Sequence, residues 1–230
     1  MRRKILMNIA MSWSGGKDGC MALHKLIEQG HSVKCLFTTL PEEIGGRTFG
    51  HGERADSIKI QSEALGIPVE FLPCSFHTYT EKVVDSLTRL KAKYQLDAAA
   101  FGDLYLQEHR DWGEKVCGEV GLHALYPLWM NEAKALQALH SFKESGYKAT
   151  VIRVRDDVLS SSWLGRELND QFYSDIQEEK SCPMGEAGEY HTFVYDGPLF
   201  KKKIEFEYGD IIQLETTKRL EIEQLNLTDK

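Results

Sequence analysis

Two glycines, a lysine and an aspartate follow one another near the start of the chain, between two apolar segments of different period. Residues 12–19 read Ser-Trp-Ser-Gly-Gly-Lys-Asp-Gly, after the apolar run of residues 5–11 and before apolar side chains at helical spacing. Glycines let the backbone approach an anion closely, and the N–H groups and positive dipole end of the next helix attract negative charge. The order of strand, glycine loop and helix therefore predicts a phosphate-binding loop.

This loop resembles the pyrophosphate loop of the N-type ATP pyrophosphatases, which cleave ATP between its α and β phosphates. It is not a Walker A loop, because that motif needs four residues between its first glycine and a Gly-Lys-Ser/Thr ending. The resemblance implies that ATP and Mg²⁺ bind here. A tight strand-to-helix turn with a polar cap is the alternative interpretation, since short glycine motifs also occur without a ligand.

The side chains of the loop suit different tasks. Lys17 can stabilise the charge that develops as pyrophosphate leaves, so we predict a catalytic role for it; we also expect an exposed loop lysine that contributes little packing. Asp18 stands at a helix N-terminus, where it can cap the helix, bind Mg²⁺, or do both. The residues that we expect to bind ATP or pyrophosphate are Ser12, Ser14, Gly15, Gly16, Lys17, Asp18, Gly19, Gly102 and Asp103.

A second concentration of glycines and polar residues lies in the C-terminal part of the chain. Gly185 and Gly188 allow a tight loop, while Glu186, Glu189 and His191 supply two carboxylates and an imidazole. Carboxylates suit Mg²⁺ or an incoming amine, and histidine transfers protons near neutral pH. We predict that Glu186, Glu189 and His191 are catalytic and that the segment containing them folds back over the ATP loop. The alternative is that they are polar positions at the start of a hairpin.

Taken with the phosphate loop, four further motifs resemble those of the diphthine–ammonia ligase family, the ATP-dependent amidases that complete diphthamide on elongation factor 2. The resemblance covers essentially the whole chain, and the run at 185–193 is long enough to be specific. The length resembles that of the compact archaeal and bacterial forms. The motifs are Phe-Gly-Asp-Leu at 101–104 with Glu-His-Arg-Asp-Trp-Gly-Glu at 108–114, Tyr-Pro-Leu-Trp at 126–129, Ser-Trp-Leu-Gly-Arg at 162–166, and Gly-Glu-Ala-Gly-Glu-Tyr-His-Thr-Phe at 185–193.

The resemblance implies an ATP-dependent amide ligase. A substrate carboxylate would attack the α phosphate of ATP to give an acyl-adenylate and pyrophosphate, and ammonia would then displace AMP. The implied partners are ATP, ammonia or ammonium, and a carboxylate acceptor such as a side chain of a translation elongation factor. Bacterial relatives occur in cells without diphthamide, so the resemblance leaves the acceptor open.

Three further residues are candidates for the site. Arg110 and Arg166 can clamp a phosphate or a carboxylate, although a structural ion pair is at least as common for a single arginine. His51 follows the second predicted strand, where the superfamily often shapes the nucleotide pocket, but a loop histidine without a ligand is the simpler interpretation. We expect Trp129 and Trp163 to pack in the core, because large aromatic side chains are usually buried.

Strand and helix patterns alternate along the first two thirds of the chain. We predict strands at 5–11, 33–40, 69–72, 98–101, 125–129 and 150–154, and helices after the loop and at 53–65, 80–94, 107–120 and 132–143. This alternation predicts an α/β fold in which a parallel sheet is sandwiched by helices, and the resemblance implies the HUP-like form of the PP-loop ATP pyrophosphatases. Ligands of such sheets bind at the carboxyl ends of the strands, where we expect Ser14, Asp103 and the segment after Val154 to meet.

The pattern changes after about residue 156. One helix is predicted at 166–178, followed by short strands at 191–195, 204–208, 211–215 and 220–225, with hairpin turns at 196–198 and 209–210. These elements predict a small α+β appendage of mostly antiparallel strands. We therefore expect a PP-loop ATP-binding domain at residues 1–155 and a smaller substrate or acceptor domain at 156–230.

Composition narrows the class of protein. The chain has 230 residues, 42% of them hydrophobic, and a formal net charge of −7. That charge argues against a nucleic-acid coat, and no apolar run approaches the roughly 18 residues of a membrane span. The five cysteines are never spaced as Cys-x-x-Cys, which fits a reducing cytoplasm better than a disulfide framework or a zinc site. The basic residues 2–4 precede an apolar run as in a signal peptide, but that run leads directly into the loop with no cleavage site. The sequence leaves open whether the protein forms a homo-oligomer.

Two departures from the family pattern support other interpretations. Gly19 stands where most relatives have a small hydroxyl residue, and Cys182-Pro183-Met184 replaces the usual Asp-Pro-Cys. A nucleotide-binding regulator that has lost its chemistry is therefore one alternative. The other is a PP-loop tRNA-modifying enzyme, which would require a basic face and, for sulfur transfer, paired cysteines.

Overall fold

The computed structural model describes residues 6–230 of the chain. Residues 1–5 lie outside the described part; they include the basic residues 2–4 and the first position of the predicted first strand. The described strands and α-helices are, in chain order, β1 (Asn8–Ser12), α1 (Lys17–Glu28), β2 (Ser32–Pro41), α2 (Ala55–Leu65), β3 (Val69–Cys74), α3 (Tyr79–Tyr94), β4 (Ala98–Ala100), α4 (Gln107–Val120), β5 (His123–Leu125), α5 (Ala135–Glu144), β6 (Lys148–Arg155), α6 (Asp170–Asp175), β7 (Tyr190–Asp196), β8 (Lys203–Gln213) and β9 (Thr217–Thr228).

The first sheet is parallel and has five strands in the order β3-β2-β1-β4-β5. Its central strand, β1, leads directly into the predicted phosphate loop. Because β4 pairs with β1, the carboxyl ends of these two strands are neighbours, and so are the segments that follow them. This topology confirms the predicted α/β fold class with its parallel sheet and flanking helices.

A continuous core covers one face of this sheet. Alternate strand residues, including Ala10, Phe37 and Ala99, pack with the apolar side chains of α3 and α4, of which Leu87 and Val116 are fully buried. The alternation follows from the pleat, since successive side chains of a strand point to opposite faces. The sheet edge that carries the loop is thereby fixed by the packing of α3 and α4.

The chain divides into two compact units. The first contains the described residues up to Ser14 together with Asp18–Ala55 and Ile67–Trp129. The second contains Gly15–Lys17, Asp56–Gly66 and Met130–Lys230. The expected domain boundary lies between residues 155 and 156, at the end of β6, whereas the structural division falls between Trp129 and Met130. The division into folding domains stays a prediction.

The second sheet is antiparallel and has four strands in the order β7-β6-β9-β8. The prediction that residues 150–154 extend the parallel sheet is therefore wrong, because they lie in β6 at the centre of this second sheet. A strand buried on both faces has the same continuous apolar run in either kind of sheet, so the pattern could not distinguish them. Because β6 is not part of the parallel sheet, the carboxyl ends of that sheet's strands give no reason to expect the segment after Val154 beside Ser14 and Asp103.

Other strands, turns and helices begin or end at residues that differ from the predicted ones, for local reasons. The predicted turn at 209–210 is wrong: Gly209 and Asp210 lie inside β8, where the pairing register with β9 shifts, as in a β-bulge. The turn at 196–198 does not form a hairpin, since β7 and β8 are not neighbours. Helix α6 begins after Asn169, whose Oδ1 accepts a hydrogen bond from the Phe172 N–H at 3.0 Å.

One predicted strand near the middle of the chain also differs from the structure. The predicted strand at 125–129 is wrong beyond Leu125: β5 covers His123–Leu125, and residues 126–129 form a turn in which the Trp129 N–H donates to the Tyr126 oxygen at 3.1 Å. Among the described residues, no helix combines the length and the apolar character that crossing a membrane would require.

The α3 packing generates a stability prediction. Leu87→Ala removes a fully buried side chain from the core, and the cavity should lower the free energy of unfolding by roughly 2–5 kcal/mol. Glu81→Ala on the same helix is the control, because the Glu81 side chain is 70% exposed and should change stability by about 0.5 kcal/mol or less. Urea unfolding of both variants measures the difference, and equal unfolding midpoints would contradict this account of the core.

Candidate functional site

The centre of the predicted phosphate loop belongs to the second unit, where its backbone is held by two other segments. The Gly15 carbonyl oxygen accepts a hydrogen bond from the Val194 N–H of β7 at 3.0 Å. It accepts a second from the Gln61 side-chain amide of α2 at 2.9 Å. The same amide donates to the Val194 oxygen at 2.7 Å, so loop, helix and strand are joined in one closed group of hydrogen bonds.

Glycine is required at position 15 for two reasons. Its φ is +82°, in the left-handed region where other residues are strained. A Cβ atom there would also lie 2.6 Å from Gln61 Oε1, and Gln61 is fully buried. The glycine identified from the sequence thus serves the close approach of α2 to the loop.

Lys17 does not have the exposed position that we expected. Its side chain is only 2% exposed, and the residue begins α1. Its N–H donates to Thr192 Oγ1 of β7 at 3.0 Å, and its ammonium lies 4.7 Å from the centre of the Tyr190 ring. The expectation of an exposed loop lysine was wrong because Lys17 packs against β7, through Thr192 and the Tyr190 ring. A buried ammonium on an aromatic face is held by a cation–π interaction, which fixes its position.

In the first unit, the ends of β1 and β4 meet as the sequence predicts. Ser12 ends β1 and Ser14 follows it, while Asp18 and Gly19 lie in the first turn of α1. A Cβ atom on Gly102, after β4, would lie 3.0 Å from the Gly19 nitrogen and 3.1 Å from the Asp18 carbonyl carbon. Gly102 therefore touches the start of α1.

This contact places Asp103 beside the start of α1, next to the two neighbouring strands β1 and β4. The predicted position of Asp103, at the carboxyl end of the fourth strand and near the loop, matches the structure. Its role in binding ATP stays a prediction.

An aromatic cavity opens at this edge of the parallel sheet. Its deeper part has a volume of about 90 Å³ and its outer part about 360 Å³. Both parts are lined by Ser12 and by the rings of Phe49, Tyr79, Phe101 and Trp112. The cavity thus presents flat apolar rings beside the first residues of the loop, which suits a planar aromatic ligand.

Hydrogen bonds hold two of these rings in place. The indole N–H of Trp112 donates to Thr80 Oγ1 at 3.1 Å, and the Tyr79 hydroxyl lies 3.5 Å from Thr39 Oγ1. Burial raises the pKa of Tyr79, so its hydroxyl stays protonated at neutral pH. Phe101 and Trp112 were quoted within family motifs but not predicted as site residues, and Phe49 and Tyr79 were not singled out, because the apolar pattern around them is already explained by packing.

The outer part of the cavity also has polar groups. His109 Nδ1 lies 2.8 Å from Asp103 Oδ1, and Glu108 lines the same space. An imidazole held by a carboxylate is oriented to accept or deliver a proton at its other nitrogen. His109 was quoted within a family motif but not predicted as a site residue. Its position in the first turn of α4, six residues after Asp103, is the signal that was available.

The glycine and glutamate segment of the second unit forms a compact loop before β7. Gly185 and Gly188 have φ values of +66° and +81°, and the Gly188 N–H donates to the Gly185 oxygen at 3.0 Å. Glu189 is buried, and its two carboxylate oxygens accept backbone N–H groups from Cys182 at 3.3 Å and Ala187 at 3.0 Å. These contacts give Glu189 the function of closing its own loop.

The other two residues of this segment are less enclosed. Glu186 is half-buried within the loop, and His191 is half-buried on β7, opposite Arg153 of β6. The strand that contains His191 also contains Thr192 and Val194, which bond to Lys17 and Gly15. The predicted fold-back of this segment onto the loop is thus present within the second unit, while the catalytic roles stay predictions.

The two candidate arginines are engaged in structural contacts. Arg166 forms an ion pair with Asp175 and lies 4.2 Å from the centre of the Trp163 ring. Arg110 pairs with Glu114 at 2.7 Å and lies 4.8 Å from the centre of the Trp129 ring. These contacts correspond to the structural alternative that the sequence left open. Trp163 is buried, as expected, whereas Trp129 is half-buried.

His51 lies in the loop between β2 and α2. It is half-buried, and its N–H donates to the Phe49 oxygen at 3.0 Å. Phe49 lines the aromatic cavity, so His51 is two residues from that wall. His51 is therefore close in sequence to a ring that lines the cavity, and its part in a nucleotide pocket stays a prediction.

Comparison with known families decides the classification. Residues 7–124 match the diphthamide synthase N-terminal domain, and residues 134–227 match the diphthamide synthase C-terminal domain. The chain belongs to the diphthamide synthase family. This result confirms the resemblance drawn from the sequence motifs.

Two curated relatives of this diphthamide synthase family member are named diphthine–ammonia ligase. The protein of Schizosaccharomyces pombe is 30% identical over 87% of this chain and 36% of its own length. The protein of Danio rerio is 28% identical over 83% of both chains. The chain therefore spans about a third of the first relative and most of the second. A predicted subunit of a tRNA methyltransferase from Methanocaldococcus jannaschii is 14% identical and has a TM-score of 0.41, over 82% of this chain and 96% of its own.

The loop geometry of this family member generates a prediction at Gly15. Gly15→Ala should weaken ATP binding by tenfold or more and lower stability by roughly 1–3 kcal/mol, because the new methyl group meets Gln61 at a strained φ. Gly118→Ala in α4 is the control: among residues 6–230, no atom outside the neighbouring helix backbone lies within 4 Å of its added Cβ, and alanine should stabilise the helix by roughly 0.5–1 kcal/mol. Calorimetric titration with ATP and thermal unfolding measure both effects. Unchanged affinity in Gly15→Ala would remove the loop from the ATP site.

Proposed function

We propose that the protein is an ATP-dependent ligase that activates a carboxylate by adenylation and joins it to ammonia. The observation that carries the proposal is the bonding of Gly15 and Lys17 to β7, the strand that directly follows the glycine and glutamate loop. One strand thereby positions the phosphate loop and the segment proposed to handle the acceptor. The family membership and the names of the relatives support the same reaction class.

The proposed reaction has two steps. An acceptor carboxylate oxygen attacks the α phosphorus of ATP, the bond to the β-phosphate oxygen breaks, and pyrophosphate leaves. Ammonia then attacks the carbonyl carbon of the acyl-adenylate, loses a proton, and AMP leaves as the amide forms. Placement and charge stabilisation are the main tasks of the protein in both steps.

The phosphate groups are assigned to the loop. Lys17 is held on the Tyr190 ring as a fixed positive charge, and Gly15 and Gly16 let the backbone approach an anion at the start of α1. Ser12 and Ser14 add hydroxyl groups. Gly19, which follows Asp18, has no side-chain donor and offers only its N–H. We propose that pyrophosphate leaves against this charge.

The nucleoside is assigned to the aromatic cavity of the first unit. Adenine is flat and apolar on its faces, and stacking on an aromatic side chain contributes about 1–3 kcal/mol per base. The rings of Phe49, Tyr79 and Trp112 provide such faces, and Ser12 belongs to both the cavity and the loop segment. ATP in this position would place its base at the carboxyl edge of the parallel sheet.

Mg²⁺ is part of the proposal because the oxygen donors suit it. Asp18 and Asp103 supply carboxylates, and the contact between Gly102 and the Asp18 backbone places their backbones close together. When bound, Mg²⁺ would neutralise phosphate charge. The two aspartates would hold the ion, and Asp103 would also orient His109.

The acceptor and the amine are assigned to the loop of Glu186, Glu189 and His191. A diphthine-like carboxylate is the proposed acceptor, in line with the relatives' names. The translation elongation factor that would carry it is what the motif resemblance implies. Glu189 would act by closing the loop, whereas Glu186 and His191 would contact the amine or its proton. A cytoplasmic location belongs to the same proposal.

The buried cysteines argue against the sulfur-transferring alternative. Burial raises the pKa of the Cys35 thiol to about 12 and that of Cys117 to about 11, so neither is a thiolate at neutral pH. The regulator alternative predicts tight ATP binding without turnover. Measurement of the reaction products therefore distinguishes the three proposals.

The direct test is to incubate the protein with ATP, ammonium and diphthine-bearing elongation factor 2 and to quantify AMP, ADP and amide. We expect AMP and amide in equal amounts. Lys17→Met should lower AMP formation by about 100-fold or more, because the fixed charge opposite pyrophosphate is lost. Lys25→Met on the same helix is the control, since Lys25 is exposed. ADP as the product, or full activity of Lys17→Met, would contradict the proposal.

The acceptor loop generates a separate prediction. Glu189→Gln and His191→Ala should leave the Kd for ATP nearly unchanged and lower amide formation by about 100-fold. The amide introduced by Glu189→Gln has a single acceptor oxygen and cannot accept both backbone N–H groups as the carboxylate does, so the loop should open. Glu179→Gln, at an exposed position before the loop, is the control. Equal losses of ATP binding and amide formation would instead assign this segment to the nucleotide.

A further inference from the structure

A buried glutamine on α2 bonds to the phosphate loop although it belongs to no motif. Gln61 is fully buried, and its Nε2 atom donates to the Gly15 oxygen at 2.9 Å and to the Val194 oxygen at 2.7 Å. Since two carbonyl oxygens face the amide, its NH₂ group must point to them, and both of its hydrogens are used. The contacts join segments that lie 46 and 133 residues from Gln61 in sequence.

The orientation of the Gly16 N–H follows from the hydrogen bond that Gln61 donates to the Gly15 oxygen. The carbonyl of Gly15 and the N–H of Gly16 belong to one trans peptide, in which the two groups point in opposite directions. Gln61 and Val194 occupy the carbonyl side of that peptide. The Gly16 N–H is consequently directed to the opposite side of the loop, away from α2 and β7.

The helix that carries Gln61 is itself held in place. Its Ala64 oxygen accepts a hydrogen bond from the Lys201 N–H at 2.7 Å, and Ile58 and Leu65 of the same helix are buried. The amide of Gln61 therefore approaches the loop from a rigid element. A rotation of the Gly15–Gly16 peptide would break the hydrogen bonds that Gln61 and Val194 donate to the Gly15 oxygen, and with them the closed group that these three residues form.

We propose that Gln61 is a positioning residue of the phosphate site: by holding the Gly15 carbonyl, it directs the Gly16 N–H at the departing pyrophosphate. This inference rests on the proposed function, because it assumes that the loop binds the phosphates of ATP. Glutamine suits the task since it is neutral and offers two donors, whereas a carboxylate would face two carbonyl oxygens with like partial charge.

The test measures the Kd of inorganic pyrophosphate and of ATP by calorimetric titration of the full chain. Gln61→Met has a similar length without donors and should raise both Kd values about tenfold or more, since a fixed donor to an anion is lost. Ser57→Ala is the matched control on α2. Ser57 Oγ is buried, and within the described part of the chain it makes no hydrogen bond, so its loss should leave both Kd values unchanged.

A second variant separates positioning from folding. Burial beside two carbonyl oxygens should raise the pKa of the new carboxyl in Gln61→Glu, and the protonated form can donate one hydrogen bond. The ratio of its pyrophosphate Kd to that of the wild type should fall as the pH is lowered from about 8 to about 6. This variant also supplies the test if Gln61→Met does not fold.

The results of these titrations distinguish a positioning role of Gln61 from a purely structural one. Weaker binding in both Gln61 variants, with partial recovery of Gln61→Glu at low pH, supports the inference. A lower melting temperature with unchanged Kd values overturns it and makes Gln61 a structural residue only. A wild-type chain that binds neither ATP nor pyrophosphate contradicts the proposed function, whereas wild-type binding with equal Kd values in the variants contradicts the inference alone.

Discussion

The carbonyl oxygen of Gly15 connects the phosphate loop to two distant parts of the chain. It accepts hydrogen bonds from Gln61 on α2 and from Val194 on β7. A carbonyl has two lone pairs, so both are used and the peptide plane is fixed. The left-handed φ of Gly15 and the absence of a Cβ allow this approach, which no other residue would permit without displacing Gln61. The direction in which the loop offers its remaining N–H groups depends on this one interaction.

Strand β7 extends the same constraint toward the acceptor segment. Its residues Thr192 and Val194 bond to Lys17 and Gly15, and the loop closed by Glu189 lies directly before it. An adenylating enzyme must hold the α phosphate between a leaving pyrophosphate and an incoming carboxylate. In the proposed function, a single strand positions the groups for both, which explains why a motif so far along the chain is needed by a loop near its beginning.

The sequence predicted those features that have strong local signals. The glycine loop, helix α4 and the parallel orientation of the first five strands followed from periodicity and glycine placement, and the family followed from the 185–193 run taken with the phosphate loop and the other motifs. The contacts of Gln61 and the placement of β6 could not be predicted from the sequence. Gln61 lies in an ordinary amphipathic helix, and β6 has the apolar run that any buried strand shows. Whether an arginine such as Arg166 binds a ligand or an aspartate depends on tertiary contacts that its neighbours in sequence do not reveal.

The central claim is that the loop holds pyrophosphate while a carboxylate is adenylated, and pyrophosphate–ATP exchange tests it most directly. Labelled pyrophosphate, unlabelled ATP and diphthine-bearing elongation factor 2 are incubated with the protein in the absence of ammonium. The account predicts that label enters ATP only when the carboxylate acceptor is present, because adenylation is reversible until an amine removes the acyl group. Amide formation on later addition of ammonium, without any prior exchange of label, would contradict the account.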